Sequence, residues 1–378
     1  MLRNEKVVCL SLGLLLATAC GENDKPLTPD APMVVVDGPI VDAPLQNSTA
    51  LVVAGDFNMT GTLARINTAT QVVEKNLAAG AVDQDPQTRL IAGELLVVNR
   101  GKNNLTVLDA KTLAVKLQIS TGAGSNPQDA AVFGNKIYVP ALGGKGVVVV
   151  TRGMTTTTEI DLSALDRDGK PDCNSAIVVG TKLFVACGGL QNFVATIGKV
   201  VVIDTATDLS VATIDLPNLN PFGQMVQSPA GSMFAGDVLV STVPDFSDQT
   251  VGCVARFSAT AATPTATCAI TNAALGANPS QMAVSADGKS LFLTPQSFAG
   301  TAPLRRFDLT TGMLVTAPLS GAGQVISDVA ACPDGRIIAA DQKAAASGIR
   351  IFSLTGEETT TPLDVGIKPL GGGALRCL

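Results

Sequence analysis

The segment at residues 166–172 has the composition of a small cation site. Its order, Asp-Arg-Asp-Gly-Lys-Pro-Asp, places carboxylates at Asp166, Asp168 and Asp172 around Gly169. Calcium takes six to eight hard oxygen ligands, and a glycine lets the backbone turn so that carbonyl oxygens can join the carboxylates. We therefore predict a structural calcium at this loop. The alternative reading is a solvated acidic turn.

Residue types that commonly carry catalysis are scarce in this chain. It contains no His, so the usual general base near neutral pH and the commonest transition-metal ligand are both missing. It has no Gly-x-Ser-x-Gly elbow, and without His no Ser-His-Asp triad can form. The glycine run at 143–146 is not followed by a helix pattern, so we predict a hairpin loop and no phosphate cradle. If the chain forms a closed ring, Asp129 and Asp328 could meet across its channel as a carboxylate pair for glycoside cleavage.

These side chains are carried by a four-strand pattern that repeats seven times. Tight turns such as Gly134-Asn135 and Asp287-Gly288 separate apolar runs and favour hairpins, because these residues accept positive φ. The second strands of successive units, about 47 residues apart on average, start near these positions: Thr49, Glu94, Asn135, Thr181, Gly236, Lys289 and Gly335. The pattern opens on a second strand at 49–55 and closes on a first strand at 373–378. We predict an all-β, seven-bladed propeller of four-stranded antiparallel blades, with both chain ends paired in one blade.

Third strands end in a shared signature, Asp or Asn followed by a Thr-containing tight turn, at 66–70, 108–112, 203–207 and 307–311. Together with Tyr138-Val139 and Asp287-Gly288, the copy at 203–207 resembles the repeat of the YVTN family of seven-bladed propellers. The resemblance covers nearly all of residues 49–378. It implies the fold and no single activity, since the wider superfamily includes lactonases and quinoprotein dehydrogenases. A Trp-derived quinone is excluded because the chain has no Trp.

Residues 1–19 have the pattern of an export signal. Arg3 and Lys6 precede an apolar run at 7–16, and small residues follow at 17–19. The run is shorter than the roughly 20 apolar residues that a membrane span needs. Cys20, directly after the small residues, resembles the lipobox cysteine of bacterial lipoproteins, which implies cleavage before Cys20 and lipid attachment to it. The alternative is a secretory signal with an incidental cysteine.

Residues 20–48 form a predicted tether, because their density of Pro and Asp favours extended chain over packing. The residue after Cys20 is Gly21 and not the Asp that retains lipoproteins in the inner membrane. We therefore expect the protein to be anchored to the outer membrane of a bacterial envelope. Removal of the signal takes away Arg3, Lys6 and Glu5 and changes the formal net charge from −6 to −7. No basic cluster occurs, which argues against nucleic acid as a partner. We expect a monomer.

Six cysteines lie in the repeat region of this exported chain, where disulfides persist. Their positions in the blade pattern make three pairs of strand neighbours. We predict the disulfides Cys173–Cys187, Cys253–Cys268 and Cys332–Cys377. The last pair joins the inner strands of the last and first blades, which only a closed ring brings side by side. Free cysteines buried in strands are the alternative.

One face of the predicted ring carries long, irregular loops, where binding residues normally lie. Four of these loops contain a phenylalanine: Phe57, Phe193, Phe246 and Phe298. Gathered on one rim, they would form an apolar binding surface. The alternative is that each Phe packs beneath its own loop.

We therefore expect an envelope-anchored lipoprotein propeller that binds an envelope protein or a small ligand on its long-loop face, with no certain cofactor. The alternative is a lactonase-like or other metal-dependent hydrolase, in which Asp, Glu and Asn at the channel mouth would hold the metal. A purely structural envelope protein is the third reading.

Overall fold

Apolar runs separated by tight turns fold into seven sheets around a central channel. The structure is a computed structural model that describes residues 48–296, 303–343, 345–369 and 371–378. The predicted signal, Cys20 and the tether up to residue 47 lie outside the described residues. No helix in the described part of the chain is long and apolar enough to cross a bilayer.

Blades 1 to 4 are formed by the following strands. Blade 1 contains β1 (Thr49–Gly55), β2 (Gly61–Asn67) and β3 (Val73–Leu77), and blade 2 contains β4 (Pro86–Ile91), β5 (Glu94–Asn99), β6 (Asn104–Asp109) and β7 (Val115–Ser120). Blade 3 contains β8 (Ala131–Phe133), β9 (Lys136–Pro140), β10 (Gly146–Thr151) and β11 (Thr157–Asp161). A 3-10 helix (Ser163–Leu165) leads to blade 4, with β12 (Cys173–Val179), β13 (Lys182–Cys187), a small hairpin of β14 (Leu190–Gln191) and β15 (Val194–Ala195), then β16 (Lys199–Asp204) and β17 (Leu209–Asp215).

Blades 5 to 7 complete the ring. Blade 5 contains β18 (Pro221–Gln227), β19 (Asp237–Thr242), β20 (Cys253–Ser258) and β21 (Thr267–Thr271), and α1 (Asn272–Leu275) follows it. Blade 6 contains β22 (Asn278–Val284), β23 (Ser290–Gln296), β24 (Arg305–Asp308) and β25 (Met313–Leu314). Blade 7 contains β26 (Ile326–Ala331), β27 (Ile337–Asp341) and β28 (Gly348–Phe352), and β29 (Leu375–Cys377) returns to blade 1.

The predicted architecture is confirmed, with one difference in blade 7. Six blades are four-stranded antiparallel sheets, and the hairpin β14–β15 forms a separate two-stranded sheet. Blade 7 has three strands, and two isolated bridges, Ile349 with Leu363 and Phe352 with Glu358, take the place of its fourth strand. The segment 356–363 contains Gly356 and Pro362, and a proline cannot donate to a strand ladder, so regular pairing stops there.

The core is divided into seven apolar clusters, one between each pair of neighbouring blades. The second and third strands of each blade are covered on both faces. Such strands read as continuous apolar runs rather than alternating ones. The run Val147–Val150 in β10 is an example, because it is buried throughout.

The ring closes through both ends of the described chain. β29 pairs antiparallel with β1, with Ala50 opposite Cys377. Ser48, which the sequence assigned to the tether, is instead buried, and its carbonyl accepts from Thr68 while its backbone N–H donates to Asp334 at 3.2 Å. Both of those partners lie in tight turns, so the chain enters the ring on the tight-turn face.

All three predicted disulfides are confirmed. Cys173 is bonded to Cys187, Cys253 to Cys268 and Cys332 to Cys377. The first two lie within blades 4 and 5. The third connects blade 7 to β29 and so reinforces the ring closure covalently.

Candidate functional site

Two arginines on inner strands, Arg89 and Arg376, connect neighbouring blades around the central channel. Arg89, on the inner strand β4, makes a bidentate ion pair with Asp129, at 2.7 Å from each nitrogen to its oxygen. The same guanidinium donates to the carbonyl of Met225 in blade 5 at 3.2 Å. Asp129 also accepts from the Ser175 hydroxyl and from the Gln224 amide, both at 3.0 Å. This network links the inner strands of blades 2 to 5.

The second arginine belongs to the closing strand β29. Arg376 donates to the carbonyl of Thr88 and to the side-chain oxygen of Gln224. Burial lowers the pKa of Arg376 to about 10, so it remains protonated at neutral pH. Asp328 accepts from the backbone N–H groups of Ala374 and Leu375 at 2.6 and 2.8 Å, and burial raises the pKa of this carboxyl.

Asp129 and Asp328 are both engaged by donors within the ring. Asp129 uses both oxygens on Arg89 and further donors, and Asp328 is bonded to the backbone at the start of β29. A hydrolytic pair needs one carboxyl free to protonate the leaving group and a second free to act as base or nucleophile. These contacts therefore do not favour glycoside cleavage by Asp129 and Asp328.

Glutamine side chains fill the channel beside the arginines. A Cβ at Gly372 would lie 2.3 Å from Nε2 of Gln281, and one at Gly373 would lie 3.3 Å from Nε2 of Gln224. Gln224 and Gln281 are each buried. The glycines before β29 thus give these amides room.

The acidic loop at 166–172 is held by a hydrogen bond within the loop and by bonds from residues 190–196. Asp168 accepts from the backbone N–H of Lys170 at 2.8 Å, and Asp172 accepts from the backbone N–H of Leu190. Asp166 accepts weakly, at 3.4 Å, from the side chains of Gln191 and Thr196. The three carboxylates therefore point to different partners, and within the described residues no group of three or more metal-ligating Asp, Glu or Cys side chains is gathered. The predicted calcium stays a prediction.

Asp172 is the buried carboxyl of this loop. Burial raises its pKa to about 6, the Leu190 N–H opposes that rise, and the negative charges of Asp168 and Asp166 add to it. The loop contacts the β14–β15 hairpin, so it also braces the long-loop face.

The structure places the predicted phenylalanines in different environments. Phe193 lies at the tip of the β14–β15 hairpin and is 93% exposed, and Phe57 lies in the β1–β2 loop and is 55% exposed. Phe246 is partly buried, and its ring packs edge-on against Phe222 with centroids 5.3 Å apart. Phe298 lies outside the described residues. The exposure of Phe57 and Phe193 agrees with an apolar binding surface on the rim. Phe246 instead packs in part beneath its own loop.

The glycine run at 143–146 is the β9–β10 loop, as predicted. It borders a depression of about 730 Å³ that also contacts Glu159 and Ser163. The backbone N–H of Lys145 donates to Glu159 at 2.8 Å, and its side-chain nitrogen lies 3.6 Å from Asp161. The lysine is therefore engaged by carboxylates, which does not suit an anion site.

Comparison with known proteins supports the architecture. No protein-family model matches the chain, and no curated protein matches it in sequence. Among solved structures, the chain is similar to a quinonprotein alcohol dehydrogenase-like protein from Bacteroides thetaiotaomicron, with a TM-score of 0.59 and 13% identity over 89% of this chain and 79% of that chain. The chain is a seven-bladed β-propeller.

Two further structures give the same result. The Cps50 (Swd1) β-propeller domain of Myceliophteria thermophila has a TM-score of 0.58 and 13% identity over 81% of this chain and 97% of that chain. A streptogramin B lyase has a TM-score of 0.55 and 14% identity over 76% of this chain and 86% of that chain. At such identities the likeness shows the fold of this propeller alone.

Sequence reasoning missed the channel arginines Arg89 and Arg376. A signal was present: both lie on inner strands, where a charged residue must meet a partner inside the ring. It also named Phe193 without recognising the hairpin that carries it. Gln191-Asn192 followed by Phe193-Val194 gives no glycine at the second turn position, so the usual hairpin signal is missing.

Proposed function

We propose that this propeller is a binding module of the bacterial envelope, anchored to the outer membrane by lipid on Cys20, with its long-loop face as the binding surface. One observation carries the proposal: Phe193, a large apolar side chain, stands almost fully exposed at the tip of a hairpin on that face. The neighbouring Val194 is exposed as well, and contiguous apolar surface of this kind marks interaction sites. Phe57 and Met59 add exposed apolar surface on the loop of blade 1.

The contrast between channel and rim supports this assignment. The channel side chains Arg89, Arg376 and Gln224 are already hydrogen-bonded within the ring, whereas the rim carries exposed apolar side chains. The metal-dependent hydrolase alternative has no carboxylate cluster in its favour within the described ranges.

Affinity capture from envelope extract tests the binding surface. Full-length protein is compared with a Phe57→Ala, Phe193→Ala, Phe246→Ala variant and with a Leu209→Ala, Met313→Ala control, which removes similarly exposed side chains from the tight-turn ends of blades 4 and 6. We expect partners that the control retains and the phenylalanine variant loses. If both variants retain the same partners, the phenylalanine side chains of the long-loop face do not form the binding surface.

Anchoring is tested separately. We expect radiolabelled palmitate to be incorporated into the wild-type chain and not into Cys20→Ser, with the variant released from the membrane fraction. Equal fractionation of both proteins would contradict lipid attachment at Cys20.

A further inference from the structure

A groove on the long-loop face lies between the β14–β15 hairpin and the loop that joins β19 to β20. Its volume is about 410 Å³. The hairpin contributes Phe193, Val194 and Ala195 to one wall, and the loop contributes Pro244 and Phe246 to the other. The ring of Phe246 packs against Phe222, which supports the second wall, and Asn220, Asp245 and Ser247 complete the lining.

The rim of this groove is negatively charged. Asp245 lines it, and Asp248 follows three residues later in the same exposed loop. Hydrogen bonds from Ser247 and from Thr250 lower the pKa of Asp245 and of Asp248, so both carboxylates are ionised at neutral pH. Neither carboxylate forms an ion pair within the part of the chain that the structure describes.

Among the described residues, Asp245 is the one charged side chain that lines the groove. Lys199 is the single cation across residues 188–252, and Arg167 and Lys170 lie in the neighbouring 166–172 loop beside three aspartates. Lys199 is itself bonded to Asp215. A partner that carries its own cations would thus meet a complementary charge, whereas an anionic ligand or an anionic lipid surface would be repelled.

We infer that this groove binds a short peptide segment in which an apolar side chain stands next to Lys or Arg. The inference rests on the proposed function, in which the long-loop face binds a partner. The apolar side chain would enter between Phe193 and Phe246 and lose contact with water. The adjacent cation would meet Asp245 and Asp248, which adds specificity more than affinity because both carboxylates are exposed.

Three sets of fluorescein-labelled synthetic heptapeptides test the inference by fluorescence anisotropy with the full-length protein. All have Leu or Phe at the centre, flanked by Lys in the first set, Gln in the second and Glu in the third. We expect the Lys set to bind about tenfold more tightly than the Glu set at low salt, since each exposed ion pair contributes modestly. The difference should fall as salt screens the charges.

Matched variants separate this inference from the proposed function. Asp245→Asn with Asp248→Asn keeps the side-chain oxygens that accept from Ser247 and Thr250, and should abolish the preference for Lys peptides while leaving binding of the Gln set. Phe193→Ala should weaken all three sets. The control is Asp204→Asn with Asp308→Asn, which changes two turn carboxylates on the opposite face and should change nothing.

A Lys preference that survives in the Asp245→Asn, Asp248→Asn variant overturns the charge inference, and so does equal binding of the three sets to wild type. If no peptide binds while the phenylalanine variant still loses its envelope partner, the peptide inference fails and the proposed function stands. If neither assay responds to Phe193, both fail.

Discussion

At the scale of single residues, the buried ion pair between Arg89 and Asp129 decides how the channel is filled. Arg89 is mostly buried and Asp129 is fully buried. Removing one partner of such a pair leaves an uncompensated charge, whereas an exposed pair contributes little. Arg89 therefore has a structural role that a neutral side chain cannot take over.

We predict that Arg89→Met destabilises the ring strongly, because Asp129 then loses its cation. The expected cost is about 3–5 kcal/mol. Arg65→Met, which removes an exposed ion pair with Glu74, should cost about 1 kcal/mol or less. Urea unfolding followed by circular dichroism measures both. Equal losses in the two variants would contradict the role assigned to Arg89.

Asp172 makes stability depend on pH. Its pKa is about 6 in the folded state, against 3.8 for an ordinary Asp, so the folded state holds this proton more tightly than the unfolded chain. The stability gained from that proton is complete below about pH 4 and is lost as the pH rises through about 6. The side chain in Asp172→Asn cannot ionise, so this variant should not lose stability in that way as the pH rises.

Thermal melts at about pH 4.5 and about pH 7.5 check this sign. We expect the Tm of Asp172→Asn, relative to wild type, to be higher at the upper pH than at the lower. Asp308→Asn is the control, because turn hydrogen bonds lower the pKa of Asp308 to about 2 and it stays ionised across that range. If the Tm difference between Asp172→Asn and wild type is the same at both pH values, the ionisation of Asp172 does not affect stability.

The calcium hypothesis for the same loop makes a different prediction. Added Ca²⁺ should raise the Tm of wild type near neutral pH, and chelator should reverse the rise, since a ligand that binds only the folded state stabilises it. Asp168→Asn should abolish the response. An unchanged Tm, with no calcium found by elemental analysis, would leave an acidic loop held by its own hydrogen bonds.

At the scale of elements, the β14–β15 hairpin is the feature that local sequence explains least. Its two turn residues, Asn192 and Phe193, have φ values of 51° and 64°. Asn tolerates this region, but a bulky residue there is strained. The strain is typical of positions selected for something other than stability.

Phe193→Gly should therefore raise stability while it weakens binding. Removing the left-handed strain is expected to stabilise by about 0.5–1 kcal/mol, after the entropy cost of glycine is counted. Phe193→Ala keeps a Cβ and should bring little gain. Urea midpoints compare the three proteins, and a destabilised glycine variant would show that Phe193 contributes to packing instead.

At the scale of the whole molecule, closure holds the ring together. Blade 1 takes β29 from one end of the described chain and β1 to β3 from the other, and the disulfide Cys332–Cys377 spans the junction with blade 7. Because no other strand completes blade 1, loss of this contact would open a sheet edge.

We predict that Cys332→Ala with Cys377→Ala destabilises the propeller by about 4 kcal/mol, as expected for a loop with a sequence separation of 45. Cys173→Ala with Cys187→Ala, with a separation of 14, should cost about 3 kcal/mol. Guanidinium unfolding under non-reducing conditions compares them. If loss of Cys332–Cys377 destabilises the protein far less than loss of Cys173–Cys187, hydrogen bonds are sufficient to keep the ring closed.

The sequence by itself determined the blade number, the strand order, the closure and the disulfide pairs. Strands covered on both faces have continuous apolar runs such as Val147–Val150, and turns with positive φ favour Gly, Asn or Asp. Both features can therefore be predicted from short stretches of sequence. Blade 7 departs from the pattern because Gly356 and Pro362 interrupt its last strand.

Only the tertiary structure decided how the channel is filled and which phenylalanine is exposed. Arg89 meets Asp129 across 40 positions of sequence, and Gln224 meets Asp129 across 95. No local pattern encodes such distances. Phe193 and Phe246 look alike in sequence, yet Phe222 packs against Phe246, whereas the left-handed turn holds Phe193 in solvent. The physical reason is that burial depends on neighbours which the ring, and not the chain, brings together.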